Sequence, residues 1–131
     1  MSTTADPLRG GFNETLGLNF EEVTPDRVVV GLDVSPALLQ PYGIVHGGVW
    51  CSVVETAASV GAAQWYGERG RVVGVANHTN FVRAIGEGRV TGVATPVHRG
   101  RTQQLWLVEI RDRDGRLVAR GEVRIQNLPA G

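Results

Sequence analysis

The residues that could do chemistry stand together in the stretch Gln40–Tyr66, QPYGIVHGGVWCSVVETAASVGAAQWY: a His46-Gly47-Gly48 step, one acid, Glu55, and the hydroxyls of Ser52 and Ser59. From Gly47 to Tyr66 there is no Lys, Arg or Asp. A helix lying on a surface carries charges on its solvent side, so this pattern predicts a long helix that the rest of the chain wraps. With about 3.6 residues per turn, Gly48, Ser52, Glu55, Ser59 and Tyr66 share one stripe, opposite Trp50, Val54, Ala57 and Gly61. No cation stands within one turn of Glu55. A carboxylate there must find hydrogen bonds elsewhere in the fold or keep its proton. It is either a reactive acid, or one that is partly exposed or bonded across an interface.

Gly47 and Gly48 fall at the start of this helix, where the first N–H groups have no intrahelical partner and the macrodipole is positive. Glycine lets a ligand oxygen approach them, so the corner could hold an anion or polarise a carbonyl that becomes an oxyanion in acyl transfer. A tight turn alone would use the same glycines, and His46 would serve equally as a capping residue. His46, His78 and His98 are scattered, which excludes a metal centre of three or four converging ligands. Ser52 and Ser59 lie in mid-helix, without the strained Gly-x-Ser-x-Gly turn of a serine hydrolase.

The elements that must position these groups follow from periodicity. Pro7–Leu18 is expected to form a short helix with Leu8, Phe12, Leu16 and Leu18 on an irregular apolar face, weakened by Gly10 and Gly11. Asn19–Thr24 and Arg27–Ser35 read as a hairpin across Pro25-Asp26. After the helix, Arg71–Ala84, Arg89–His98, Thr102–Asp112 and Leu117–Gln126 read as strands separated by short Gly-containing turns, an antiparallel meander. Gln104, Trp106, Val108 and Ile110 share one strand face; Ala119, Gly121, Val123 and Ile125 share another, where the small residues leave room for something bulky. The expected architecture is α+β: a curved antiparallel sheet of five to six strands around one central helix. Val29, Val73, Leu105 and Leu107 remain as surplus apolar residues on the other faces, which suggests self-association, and Gly61, Ala62 and Ala63 offer the helix a place for close backbone approach.

The chain has 131 residues, an apolar fraction of 42%, and 13 basic against 13 acidic groups. This suits a single domain over 1–131, with residues 1–6 expected to be disordered. Zero net charge without charge runs leaves no footprint for nucleic acid or a membrane surface, and the N-terminus lacks a secretory pattern. The single cysteine, Cys51, excludes an intramolecular disulfide and fits a reducing, cytoplasmic compartment.

Gln40-Pro41-Tyr42-Gly43, then His46-Gly47-Gly48, then Glu55 nine positions after the histidine and Ser59 one turn later, resemble the hotdog-fold acyl-CoA thioesterases of the phenylacetate-pathway and 4-hydroxybenzoyl-CoA type. The likeness continues through Asn80–Arg83, Glu87–Val90, His98–Arg101 and Gln104–Ile110, nearly the whole chain. It implies a hotdog fold, a homodimer or homotetramer with active sites at the dimer interface, an acyl-CoA or acyl-carrier-protein thioester as substrate, and no cofactor. It further implies that Gly47 and Gln40 bind the thioester carbonyl, that His46 shapes their corner, and that Glu55 of the other subunit attacks the carbonyl carbon or activates water, with Ser59 positioning water or carboxylate. Arg83, Arg99, Arg101 and Thr102 become candidates for the coenzyme A phosphates, and Phe81 suggests an apolar acyl pocket with Trp50, Tyr66 and Trp106 as possible walls. A dehydratase of the same fold, a non-catalytic acyl-CoA-binding or regulatory module and a purely structural oligomer are the alternatives.

Overall fold

The computed structural model describes residues 8–131; the expectation for residues 1–6 lies outside them. The elements are α1 (Gly11–Leu16), β1 (Leu18–Val23), β2 (Val28–Asp33), a 3-10 turn (Pro36–Leu38), α2 (Gly47–Tyr66), a second 3-10 turn (Gly67–Arg69), β3 (Gly70–Phe81), β4 (Arg89–Arg99), β5 (Gln103–Asp112) and β6 (Leu117–Pro129). The six strands form one antiparallel sheet in the order β1-β2-β4-β5-β6-β3, and α2 touches every strand of it. This is the hotdog arrangement.

The meander expected for all four later strands holds only for β4-β5-β6. Strand β3 leaves the helix and pairs with β6 at the sheet edge, while β4 inserts beside β2. Residues 82–88 are therefore a crossing connection, not a hairpin turn. It is pinned along its length: the Val82 and Arg83 N–H groups donate to the Val118 carbonyl, Val45 N–H to the Ile85 carbonyl, and Val34 N–H to the Gly88 carbonyl. These bonds hold the loop before α2 against the end of β3, and so build the corner at the helix start.

The concave sheet face and α2 share the core. Trp50, Val54, Ala57 and Gly61 are all buried, as the stripe opposite Glu55 requires, and so are Gln104, Trp106, Val108, Ile110, Ala119, Gly121, Val123 and Ile125. Gly61 is small because of Trp106: a Cβ on Gly61 would lie 2.6 Å from the indole Cζ3. The space is filled from within the chain, not by a second backbone. Gly121 likewise makes room for Thr79 Oγ1, 2.5 Å from its would-be Cβ, and for Val54. Trp106 Nε1 donates to Gln104 Oε1 at 2.8 Å, and Gln104 Nε2 donates to Asn127 Oδ1 at 2.8 Å and to the Ala62 carbonyl, so the buried amides are satisfied as a set.

Tyr66, assigned by helical spacing to the polar stripe, is buried; Val29, counted as surplus, is buried as well. In the short N-terminal helix Leu16 is buried but Phe12 is exposed, so the expected apolar face is not assembled. What stays open is the edge strand β3, where Val73 and Val75 are exposed along an unpaired side twelve residues long.

Candidate active site

The start of α2 is capped from within. His46 is the N-cap, and its Nδ1 accepts the Gly48 N–H at 2.8 Å. Val49 N–H bonds back to the His46 carbonyl at 2.9 Å. Of the first three helical N–H groups, Gly47's makes no hydrogen bond among the described residues and stands on a cleft of about 260 Å³ lined by Gln40, Ile44, Val45, Gly47, Trp50, Phe81, Val82, Arg83 and Ala84. The cleft wall is mainly apolar, with one amide and one guanidinium. Trp50 reaches it; Tyr66 and Trp106, the other two candidate wall residues, do not.

Gln40 is held in the turn that precedes the helix. Its backbone N–H donates to the Ile44 carbonyl at 2.8 Å and its carbonyl accepts from Gly43 N–H at 3.0 Å. Its Oε1 accepts the Tyr42 N–H. A backbone N–H can only donate, so this contact fixes the amide orientation and leaves Nε2 as the donor that can serve the cleft.

Glu55 is half-buried, eight residues beyond Gly47 along the helix, or about 12 Å at 1.5 Å per residue. The donors its position demanded come from two sides. Asn77 Nδ2 donates to Oε1 at 3.1 Å, and Ser59 Oγ stands 3.5 Å from Oε2 at the limit of a hydrogen bond. Asn77 Nδ2 also reaches the Cys51 carbonyl at 3.1 Å, and Thr79 Oγ1 donates to Asn77 Oδ1 at 2.7 Å. Gly74 lies against the carboxylate: a Cβ there would fall 2.1 Å from Oε2. Ser52, on the same stripe, turns its hydroxyl to the Gly48 carbonyl at 2.7 Å and serves the helix backbone.

Asn77, Thr79 and Gly74 were not found by sequence reasoning. Simple alternation from Val73 puts Asn77 on the outer face, but a β-bulge between Gly74 and Ala76 reverses the alternation. Beyond it Asn77 stands opposite Val123, Thr79 opposite Gly121 and Phe81 opposite Ala119, so all three share the inner face with buried partners. The available signal was the polar run Asn77-His78-Thr79-Asn80 inside a strand, poor in β-formers.

The four residues suggested for coenzyme A are not brought together within one chain. Arg83 lines the cleft at the start of α2. Arg99 belongs to the other end of the helix, near Trp65, about 27 Å further along by helical rise. Its guanidinium is engaged by Asp26 Oδ1 and the Pro25 carbonyl, each at 2.9 Å, and lies 5.4 Å from the Trp65 ring centre. Arg101 and Thr102 are exposed in the β4–β5 turn, where both carbonyls accept hydrogen bonds from Asn127.

A six-stranded antiparallel sheet around one long helix, with a free glycine N–H at the helix start and a single carboxylate midway along it, defines a hotdog-fold protein built for acyl transfer. The thioesterase superfamily matches residues 42–119, and the chain belongs to that superfamily; it is a thioester hydrolase. Rv1847 of Mycobacterium tuberculosis H37Rv is 56% identical over 122 residues, covering 91% of this chain and 87% of that protein. The crystal structure of S. sahachiroi AziG superposes with a TM-score of 0.91 at 54% identity, covering 92% of this chain and 98% of that one. The 1,4-dihydroxy-2-naphthoyl-CoA hydrolase of Escherichia coli K12 is 36% identical over 102 residues, 78% of this chain and 75% of that enzyme. Among the described residues no helix is long and apolar enough to cross a membrane.

Proposed function

We propose that the protein hydrolyses an aromatic or medium-chain acyl-CoA to the free acid and coenzyme A in the cytoplasm, in the manner of the phenylacetate-pathway and 4-hydroxybenzoyl-CoA thioesterases, at sites shared between two copies of the chain. The observation that carries this reading is the unpaired Gly47 N–H beside the Gln40 amide on a mainly apolar cleft. Two donors at a positive helix end receive the thioester oxygen and stabilise the charge it gains when the carbonyl carbon is attacked. His46 keeps Gly48 N–H occupied and the helix start rigid. Glu55 takes a proton from water as the water adds to the carbonyl carbon, with Ser59 steadying the water. The tetrahedral intermediate then expels the coenzyme A thiolate, which is protonated to the thiol.

The separation of about 12 Å between Gly47 and Glu55 along one helix is too long for both to act on one carbonyl group. A second copy joined along the open β3 edge, where Glu55 stands half-buried beside Asn77, supplies the acid to the partner's helix start. The aromatic acyl class is supported by Trp50 and Phe81 on the cleft and by the name of the Escherichia coli relative. Arg83 is the cation best placed for the phosphates of coenzyme A.

Refolding a mixture of Glu55→Ala and Gly47→Val copies tests the shared site. Heterodimers then contain one site with both defects and one intact site, so about a quarter of wild-type turnover returns from two inactive parents. Sites built within one chain would give no recovery.

A further inference from the structure

We propose that Asn77 is a positioning residue for the reaction, holding Glu55 by Oε1 so that Oε2 is the oxygen that meets water. The proposal rests on the reading of Glu55 as the reactive acid and adds the machinery that aims it.

The three contacts of Asn77 fix its amide completely. Nδ2 faces two acceptors, Glu55 Oε1 and the Cys51 carbonyl, both at 3.1 Å, and neither tolerates the amide oxygen in its place. Oδ1 accepts the Thr79 hydroxyl at 2.7 Å. The carboxylate is thereby tied to the backbone of its own helix one turn earlier, which removes the rotamer freedom a half-exposed glutamate otherwise has. The other oxygen, Oε2, is left with Ser59 at 3.5 Å and with the bare Cα side of Gly74. Gly74 has no positive φ, so no backbone strain explains the glycine; the carboxylate oxygen within 2.1 Å of its would-be Cβ does. The bulge between Gly74 and Ala76 makes both features possible, because it is the bulge that turns Asn77 and Thr79 inward after Gly74. One irregularity in an edge strand thus clears Oε2 and grips Oε1.

The test measures kcat and KM for thiol release from benzoyl-CoA with Asn77→Leu, Asn77→Asp, Thr79→Val, Thr79→Ser and the double variant Asn77→Leu/Thr79→Val, beside Glu55→Ala. Asn77→Leu and Asn77→Asp lower kcat roughly ten- to a hundredfold with KM nearly unchanged, as expected for a misplaced reactive group. Asn77→Asp keeps the side-chain volume but turns a charged acceptor toward Glu55, so the neutral Asn77→Leu carries the positioning test, and an unchanged Tm in both variants separates their losses from misfolding. Thr79→Val lowers kcat less, Thr79→Ser recovers it, and the double variant is no worse than Asn77→Leu alone, because Thr79 acts through Asn77. If Glu55→Ala abolishes turnover while both Asn77 variants keep wild-type kcat, or if the Asn77 and Thr79 losses multiply, Asn77 does not aim the acid. If Glu55→Ala itself keeps turnover, the reading beneath the proposal fails instead.

Discussion

The Phe81 ring occupies the space where a side chain on Gly47 would begin: a Cβ built there lies 2.6 Å from Cε2 and 2.7 Å from Cζ. The glycine that offers a free N–H to the cleft is thus the same glycine that lets the cleft's aromatic wall close over the helix start. Gly47→Val must push the ring aside, and Phe81, 57% exposed at the end of the edge strand, is able to move. Turnover is expected to fall by two orders of magnitude or more, about the effect of losing an oxyanion donor, with a modest drop in Tm. Adding Phe81→Ala restores the Tm and not the turnover, because the branched side chain still screens the N–H. Recovery of turnover in the double variant would show that Gly47 only makes space for the ring.

Gly61 gives the opposite case, where the neighbour cannot yield. Alanine is the better helix former by about 1 kcal/mol, yet its methyl would enter the ring of a fully buried Trp106. Gly61→Ala is expected to destabilise the fold by about 1–3 kcal/mol, the usual cost of overpacking, read from urea unfolding. A stabilised variant would mean that Trp106 repacks freely.

Asp112 sets one element of the acid sensitivity. The Arg116 backbone N–H, at 3.0 Å, holds its carboxyl below the ordinary range; burial opposes it, and the Asp114 N–H and the Arg116 guanidinium add to the lowering. A lowered folded-state value contributes stability that is present above the unfolded value of about 3.9 and is lost as pH falls through the folded one. Wild type is therefore expected to exceed Asp112→Asn in unfolding free energy at pH 7, with the gap narrowing below about pH 4. A gap that stays constant with pH would remove the carboxylate from this account.

The two arginines at opposite ends of α2 are expected to behave differently. Arg83→Ala raises KM for acyl-CoA several-fold while leaving the Tm unchanged, since its guanidinium makes no ion pair among the described residues. Arg99→Ala lowers the Tm, because it frees Asp26, the Pro25 carbonyl and one face of Trp65. Calorimetric titration with coenzyme A and thermal unfolding separate the two outcomes.

Much of this molecule is legible in its sequence, for identifiable reasons. The run Gly47–Tyr66, without Lys, Arg or Asp, marks the helix within its observed bounds, and the lone Glu55 marks the stripe that departs from the core. Parity along β5 and β6 selects the residues that fill the concave face, since both strands keep their alternation through the core. Strand pairing is another matter. Nothing local distinguishes a strand that folds back on its successor from one that crosses to the far edge, so β3 was expected beside β4, where it does not lie. The second blind spot has the same origin on a smaller scale. A one-residue bulge leaves no mark in composition, yet it decides that Asn77 reaches Glu55 and that Thr79 turns inward with it.

The most direct measurement is thiol release by the purified protein across a panel of short, long, branched and aromatic acyl-CoAs, with Glu55→Ala run in parallel and its assembly checked by light scattering. The account predicts turnover that prefers aromatic or medium-chain acyl groups and falls by at least three orders of magnitude in the variant, with the assembly unchanged. Turnover that survives in Glu55→Ala, or coenzyme A binding without release of any thiol by the wild type, would contradict it.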